Sequence, residues 1–387
     1  MKHIPSLLPW LAGNRRRQVT AAAVAAFVAV AVIGGVLAAA GVFSGGSSDQ
    51  EDRAANTPTP LSSPTPVPTP VVLATEPTLI DGVLVSPDEL AEIQERLPLA
   101  VMIDNLVTAR PQVGLEKADL VFEAVAEGGI TRFLAVYWRN KPGLILPVRS
   151  ARVYYMDWAA GLDASYVHWG AARSSGPADV PTAFSRLGLR DIDAFALGTP
   201  YFTRDPSRRS PHNGIADTDA LWELAAGRDW TGPPAIESWQ FKEDEPQRPK
   251  LAGAAAAPTV DLGFGGPFKS SYAVNWEYDP DTNGYLRSQG GEPHEDRDSG
   301  NQIQARNVAV LVTSLRLAGD GTSHLLYETT GSGDAVVFQD GVAVPGTWSK
   351  PDAHSRIRFF DAAGNEIAFN RGQTWIEVLS PSDPLTF

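Results

Sequence analysis

The residues whose chemistry stands out lie between positions 101 and 152 of the 387-residue chain. Carboxylates can act as general acids, general bases or metal ligands, and guanidinium groups bind phosphate or carboxylate through paired hydrogen bonds. Five such groups are set between strongly apolar strands: Glu123, Glu127, Arg132, Arg149 and Arg152. The segment therefore predicts a binding site whose ligand is an anion.

The two glutamates are predicted to lie on a β-hairpin. If the Gly-Gly pair at 128–129 forms a two-residue turn, Val125 pairs with Arg132. Alternation along the strands then places Glu123, Glu127 and Arg132 on one face. That face would do acid–base chemistry or hold a metal beside an anion. The alternative is an ordinary cross-strand ion pair next to a tight turn.

Two further arginines, in the motif PVRSAR, stand at the start of a predicted helix over 150–162. Arg149 and Arg152 are three positions apart, so they would be neighbours there. Free backbone N–H groups at a helix N-terminus bind anions, and an anionic ligand would offset the unfavourable position of two cations. The alternative is that both arginines pair with Asp104 or Asp157 at the surface.

A loop rich in charge is predicted over 204–213, where three arginines and one histidine lie close together in sequence. Arg204, Asp205 and Asn213 are candidate ligand-binding residues, and His212 is the candidate for proton transfer. The alternative is a solvated basic loop.

The elements that must position these residues fall into two parts. Helical and strand patterns alternate over 77–240, which predicts a mixed α/β sandwich domain. Positions 241–258 are charged and then small, with several prolines, and are predicted to be a linker. Residues 259–387 hold short, closely spaced strands separated by turn signals, which predicts a mostly antiparallel β domain. The fold class is therefore predicted to be α+β.

A membrane anchor is predicted at the N-terminus. Residues 1–18 form a basic tail, and the uncharged run over 19–43 is long enough, at about 1.5 Å per residue, to cross a bilayer as a transmembrane helix. The positive-inside rule places the tail in the cytoplasm and the folded domains outside the cell membrane. The alternative is a cleaved signal peptide. Residues 44–76, rich in proline, serine and threonine, are predicted to be a disordered, extended tether.

Composition excludes several classes of function. The net charge of −13 argues against nucleic acid as a partner, because phosphate backbones are bound by basic surfaces. The chain has no cysteine, which excludes disulfides, thiolate metal sites and lipid attachment through an N-terminal cysteine.

Several motifs resemble the YerB-like family of bacterial lipoproteins. The likeness rests on AVMIDNLVTARPQVGLEKADLVFEA (100–124), EGGITRFLAVY (127–137), PVRSAR (147–152), Arg204-Asp205, PHN (211–213), NVAVLVT (307–313), GSGDAVVFQDG (331–341), GTWSK (346–350) and RGQTWIEVL (371–379). It implies a membrane-attached, extracytoplasmic envelope protein built from paired domains of unknown function. This chain lacks the family's lipidation cysteine, so residues 19–43 would be its anchor instead.

A second, architectural likeness is to the LytR-CpsA-Psr enzymes, which transfer glycopolymers from polyprenyl pyrophosphate to the cell wall. By this analogy, Glu123 or Asp104 would hold a divalent cation such as Mg²⁺. Four arginines would bind the pyrophosphate: Arg132, Arg149, Arg152 and Arg204.

Three functions stay open at this point. The leading hypothesis is an envelope protein without catalysis that binds an anionic cell-wall component, or a protein of wall synthesis, through its arginines. The second is a metal-assisted enzyme on phosphate-linked or glycan substrates, with Glu123 or Glu127 as acid, base or metal ligand and His212 as proton carrier. The third is a structural scaffold in which the charges hold the two domains together.

Overall fold

The computed structural model describes residues 73–244, 255–265 and 269–387. The predicted basic tail, the transmembrane segment over 19–43 and the tether up to residue 72 lie outside these residues, as does most of the predicted linker. Within the described ranges no helix is long and apolar enough to cross a membrane.

The described part contains five short α-helices, and four of them begin at a Ser or Asp whose side chain accepts a backbone N–H bond, which satisfies donors left free at a helix start. The helices are α1 (Pro87–Ile93), α2 (Val153–Ala160), α3 (Val180–Leu187), α4 (Ala194–Leu197) and α5 (Thr218–Ala226). Short 3-10 helices lie at Val107–Ala109, Leu115–Lys117 and Lys269–Tyr272.

Strands dominate the rest. Up to residue 244 they are β1 (Glu76–Pro77), β2 (Leu84–Val85), β3 (Leu99–Asp104), β4 (Leu120–Glu127), β5 (Ile130–Tyr137), β6 (Leu144–Ile145), β7 (Ser165–His168), β8 (Arg190–Asp193), β9 (Phe202–Arg204), β10 (Gly214–Asp217) and β11 (Phe241–Lys242). From residue 255 they are β12 (Ala255–Ala256), β13 (Thr259–Leu262), β14 (Val274–Asp279), β15 (Gly284–Gln289), β16 (Glu292–Pro293), β17 (Gln304–Ala305), β18 (Asn307–Val312), β19 (Leu315–Leu317), β20 (Leu325–Tyr327), β21 (Gly331–Gln339), β22 (Val342–Lys350), β23 (Arg358–Asp361), β24 (Phe369–Asn370), β25 (Thr374–Leu379) and β26 (Leu385–Thr386).

One eleven-stranded sheet runs through both parts of the chain. Its order is β12-β22-β21-β18-β25-β4-β5-β3-β7-β8, with β23 beside β22. The parts meet where β25 pairs in parallel with β4, so that Glu377 faces Glu123. This mixture of a large sheet with few helices confirms the α+β class, and residues 70–387 form one compact unit.

Six strands of the central sheet run in the same direction and end at one edge: β18, β25, β4, β3, β7 and β8. The first three are parallel neighbours and so are the last three, and β5 runs antiparallel between β4 and β3. We call this edge the carboxyl edge. Ligands of open sheets commonly bind outside the carboxyl ends of parallel strands, so this edge is where a site is expected.

The core has one layer on each face of the central sheet. Alternate residues of β4 divide between them, with Phe122 on the side covered by α2 and α3 and Val121 on the other. The second side is covered by α5 and by a six-stranded antiparallel sheet, β16-β15-β14-β13-β26 with β17 beside β15. A side chain that leaves β4 on this second side is therefore enclosed between two sheets.

Candidate functional site

The Gly-Gly turn forms as predicted. Gly128 and Gly129 both have positive φ, 61° and 77°, which suits a two-residue hairpin turn, and Glu127 faces Ile130 across it. Glycine is needed here because a side chain would strain this backbone conformation.

The predicted pairing of Val125 with Arg132 is wrong, because a β-bulge interrupts β4 just before the turn. Val125 faces Thr131, and Ala124 faces Arg132. Neighbouring positions of a strand point to opposite faces, so Glu123 and Arg132 lie on opposite faces of the sheet. The single charged face that the sequence predicted is therefore split in two.

Buried hydroxyl groups hold the bulge in place. The Tyr155 hydroxyl lies 2.9 Å from the carbonyl oxygen of Ala124 and 2.7 Å from that of Arg132. The carbonyl oxygen of Val125 accepts from two hydroxyls, at 3.0 Å and 3.1 Å. Burial raises the pKa of all three phenols, so they remain protonated donors. The three tyrosines are Tyr154, Tyr155 and Tyr327.

On the face covered by α2, charged side chains gather at the carboxyl edge. We call them the arginine cluster: Arg132, Arg149 and Arg152 with the carboxylates Asp104 and Glu127. Two nitrogens of the Arg152 guanidinium donate hydrogen bonds to the Glu127 carboxylate, and the one from Nη2 is 2.8 Å long. Nη2 of Arg132 lies 3.4 Å from Oε2 of the same carboxylate. Burial alone would raise the pKa of Glu127, but the hydrogen bond from Arg152 and the charge of Arg132 outweigh it and lower that pKa.

The second carboxylate of the cluster is shared by two cationic groups. Asp104 is buried, and its Oδ2 lies 2.5 Å from Nδ1 of His212 and 3.1 Å from Nε of Arg149. The Arg149 contact is an ion pair without the angle of a hydrogen bond. The structure thus brings His212 to the arginine cluster, although more than 50 residues of chain separate it from Arg152.

The cluster holds more donors than acceptors. Nε of Arg132 and Nε of Arg149 are buried and donate no hydrogen bond, and within the described part of the chain the Arg149 side chain has no hydrogen-bond acceptor. Three guanidinium groups face two carboxylates. Burial and the neighbouring charge of Arg152 lower the pKa of Arg132. Such an arrangement can receive an anion.

The helix after PVRSAR starts later than predicted. It begins at Val153, with Arg152 in the cap position and no side-chain cap. The Ser150 hydroxyl instead donates to the backbone 19 residues away. Asp157, one of the predicted partners, is bound by Arg186 and a threonine and not by the cluster.

Two of the loop candidates flank the cluster and one faces away from it. Arg204 is exposed, stacks on Trp169 at 4.1 Å and donates to Asn213 at 2.8 Å. The backbone of Trp169 is bonded to that of Arg149 at 3.0 Å, which sets this pair beside the cluster. Asp205 is held by Ser207 and by Arg297 from the C-terminal part, and these bonds lower its pKa.

Glu123 is fully buried between the two sheets and belongs to a different network. It forms an ion pair with Arg287, which is also fully buried, and it accepts hydrogen bonds from Asn105 at 3.1 Å and Thr131 at 2.5 Å. Across the parallel pairing lies Glu377, which has no exposed surface either. One arginine therefore faces two adjacent carboxyl groups.

Two buried carboxyl groups beside one arginine favour a state in which one of them is neutral. Burial, followed by the charge of Glu123, raises the pKa of Glu377 well above its ordinary value, so Glu377 holds a proton. His294 is buried, and desolvation and Arg287 lower its pKa. The neutral imidazole accepts from Arg287 at Nδ1, and its Nε2 lies 2.9 Å from Gln112.

No preformed cluster of metal ligands is found in the described part of the chain. Among residues 73–244, 255–265 and 269–387 no three histidine, aspartate or glutamate side chains are grouped to hold a metal. Glu123 and Asp104, the candidates by analogy, already have cationic partners.

Sequence reasoning missed the two charged neighbours of Glu123, Arg287 and Glu377, because they lie more than 150 positions away. The available signal was an arginine in the middle of the otherwise apolar and small residues of β15, Arg287 in GYLRSQ. A second signal was Glu377 at the centre of the apolar run TWIEVL. Charged residues at buried strand positions are rare unless they are paired.

The fold and site define a two-part α+β protein whose parts share one sheet and whose carboxyl edge carries an arginine cluster. Two family models match the chain, the N-terminal domain of a protein family of unknown function, DUF3048, over residues 86–231 and the C-terminal domain of that family over residues 266–376. The chain belongs to this family.

Two comparisons support the assignment. The chain is 29% identical over 293 residues to "Putative lipoprotein YerB" of Bacillus subtilis (strain 168), covering 76% of this chain and 84% of the relative. It is also similar to the crystal structure of YerB protein from Bacillus subtilis, with a TM-score of 0.69 and 25% identity over 81% of this chain and 100% of that chain. Since that whole solved chain is matched, the compact unit at 70–387 is a self-contained fold.

We expect Tyr155→Phe to destabilise the fold by about 1–3 kcal/mol, because it removes the one hydroxyl donor that two buried carbonyl oxygens share. Tyr154→Phe is the matched control and should cost less, since Tyr327 still donates to the carbonyl of Val125. Urea unfolding of residues 70–387 measures both. Equal losses would show that Tyr155 has no special part in holding the bulge.

We expect Glu377→Gln to change how stability depends on pH. The raised pKa of Glu377 gives stability that is complete below the unfolded carboxyl pKa, about 4.5, and is lost as pH rises toward the folded value. An amide keeps a donor without needing a proton, so the variant should lose less stability between about pH 5 and pH 8. The exposed Glu92→Gln is the control and should follow the unmodified chain. Parallel pH profiles for all three proteins would exclude the shared proton.

Proposed function

We propose that this protein is a membrane-attached protein of the extracytoplasmic cell envelope that binds an anionic cell-wall component, or an anionic partner in wall synthesis, through the arginine cluster and Arg204. The matched relative is named as a lipoprotein, which supports attachment to a membrane. The chain has no cysteine for lipid attachment, so the uncharged run over 19–43 would attach it.

The observation that carries the proposal is the side chain of Arg149. It is mostly buried, with 21% of its surface exposed, and its one ionic partner is a carboxylate that also pairs with His212. The terminal nitrogens of Arg149 have no hydrogen-bond acceptor among the described residues, and a partly buried guanidinium with free donors favours an anionic ligand. An anion bound at the exposed side of Arg149 would receive these donors, beside the positive charge of Arg132.

The surroundings favour the same ligand. α2 starts beside Arg152 without a side-chain cap, so the positive end of its dipole adds to the field of the cluster. Arg204 lies beside the cluster with its guanidinium stacked on Trp169, and this orients its remaining donors. The protein as a whole is acidic, so it would not attract polyanions in general. The local excess of arginine would bind an anion only at this place on the surface.

A second candidate function, an enzyme, is favoured by one contact. His212 and Asp104 are 2.5 Å apart and lie in the arginine cluster, an arrangement in which a carboxylate orients a histidine for proton transfer. Glu123 is out of reach of a ligand in this arrangement, since it has no exposed surface. Glu127 is held by Arg152, so His212 would be the group that moves a proton.

The proposal is tested by calorimetric titration of residues 70–387 with inorganic phosphate and pyrophosphate. We expect saturable binding that Arg149→Ala weakens about tenfold to a hundredfold, the range for loss of a hydrogen bond to a charged group. Arg186→Ala is the matched control, because Arg186 also pairs with one aspartate but lies at an exposed position. It should bind like the unmodified chain.

Three results would contradict the proposal. One is the absence of binding by either anion at low ionic strength. Another is binding that Arg149→Ala leaves unchanged. The third is equal weakening by Arg149→Ala and Arg186→Ala, which would indicate a nonspecific charge effect. Turnover of pyrophosphate that disappears with His212→Ala but leaves binding intact would establish the enzyme.

A further inference from the structure

A groove of about 620 Å³ lies at the same carboxyl edge as the arginine cluster. It is built by the segments that follow β18, β25 and β4, and its size is within the range of small-molecule sites. Its walls include Val125, Gly128, Leu315, Leu317, Leu325 and Ser380. None of these residues belongs to the cluster.

Four aliphatic side chains line the groove together with glycines and four serines, and its exposed surface is mainly apolar. Leu315 and Leu317 are two positions apart on β19 and share one face, and Leu325 stands opposite Leu317 on β20. Leu317 is 62% exposed, which is unusual for a large apolar side chain next to two others. The nearby carboxylate of Asp383 is already bound by two backbone N–H groups, at 2.9 Å and 2.8 Å. The groove therefore offers an apolar surface and little free charge.

The groove and the arginine cluster come closest at the turn between β4 and β5. Gly128, in the groove wall, follows Glu127 of the cluster directly. On the other side, β20 leads from Leu325 in the wall to Tyr327, whose ring lies 4.6 Å from Tyr154 at the start of α2. β18, beside the far wall of the groove, and β5, which carries Arg132, are three strand spacings apart, about 14 Å, so a ligand with a long chain can reach both features.

We propose that the ligand of the arginine cluster is an anionic amphiphile, with a phosphate group at Arg132 and Arg149 and a single apolar chain in the groove. The inference rests on the proposed function and names the chemical class of its ligand. Charge complementarity fixes one end of the ligand and the aliphatic walls fix the other. An apolar chain would cover Leu317, which now faces solvent.

The test compares alkyl phosphates of increasing length, methyl, butyl and octyl phosphate, each kept below its micelle concentration. Calorimetric titration of residues 70–387 measures the affinities. Each buried methylene contributes about fourfold in affinity, so octyl phosphate should bind at least tenfold more tightly than methyl phosphate. Leu317→Ser should reduce the gain from the octyl chain and leave methyl phosphate binding unchanged. Leu144→Ser, at another exposed leucine outside the groove, is the control.

The outcomes separate this inference from the proposed function. Equal affinities for methyl and octyl phosphate would overturn the amphiphile and leave the anion site standing. A gain from the octyl chain that Leu317→Ser does not reduce would also overturn it, because the chain would then lie elsewhere. Absence of binding by all three phosphates would overturn both proposals.

Discussion

The pairing of β4 with β25 is the constraint on which the rest of the structure depends. It joins two stretches of chain more than 250 residues apart into one sheet and places Glu123 beside Glu377. Two buried carboxyl groups beside one arginine repel each other if both are ionised. A proton on Glu377 leaves one negative charge to pair with the arginine. Removal of one partner would leave a buried charge uncompensated, at a cost of about 3–5 kcal/mol. The network therefore ties the two parts together and fixes the register of the central sheet.

That register also decides which charges reach the surface. Because a bulge interrupts β4 before the turn, Glu123 leaves the strand toward the six-stranded sheet, while Arg132 of β5 points toward α2. The bulge separates a buried acidic network from a partly open basic one. The first joins the two parts of the chain, and the second is the site that we propose for a ligand. Buried hydroxyls supply the donors that the bulge requires.

Local patterns predicted much of this architecture. The Gly-Gly turn, the apolar strands and the concentration of arginines at PVRSAR are short-range features, and the structure shows them where the sequence placed them. The register of β5 could not be predicted, because one extra residue in a strand exchanges its faces and leaves no mark on the apolar pattern. The partners of Glu123 could not be predicted either. Their contact depends on strand order across the whole chain, which no local pattern encodes.

The contact of His212 with Asp104 is another feature that local sequence patterns could not predict. The loop over 204–213 was predicted to carry function because of its composition, but its partner Asp104 follows from the fold, which brings the loop against the end of β3. Asp205, in the same loop, faces the C-terminal part instead. Composition therefore singled out the loop, and tertiary structure decided which of its residues contact the arginine cluster.

The most direct test of the central claim is a crystal of residues 70–387 soaked with tungstate, an anion that resembles phosphate and scatters anomalously. We expect an anomalous peak within hydrogen-bonding distance of the Arg149 guanidinium, on its exposed side. A peak at other positions alone, or no peak at concentrations that saturate ordinary phosphate sites, would contradict the assignment of the arginine cluster as the binding site.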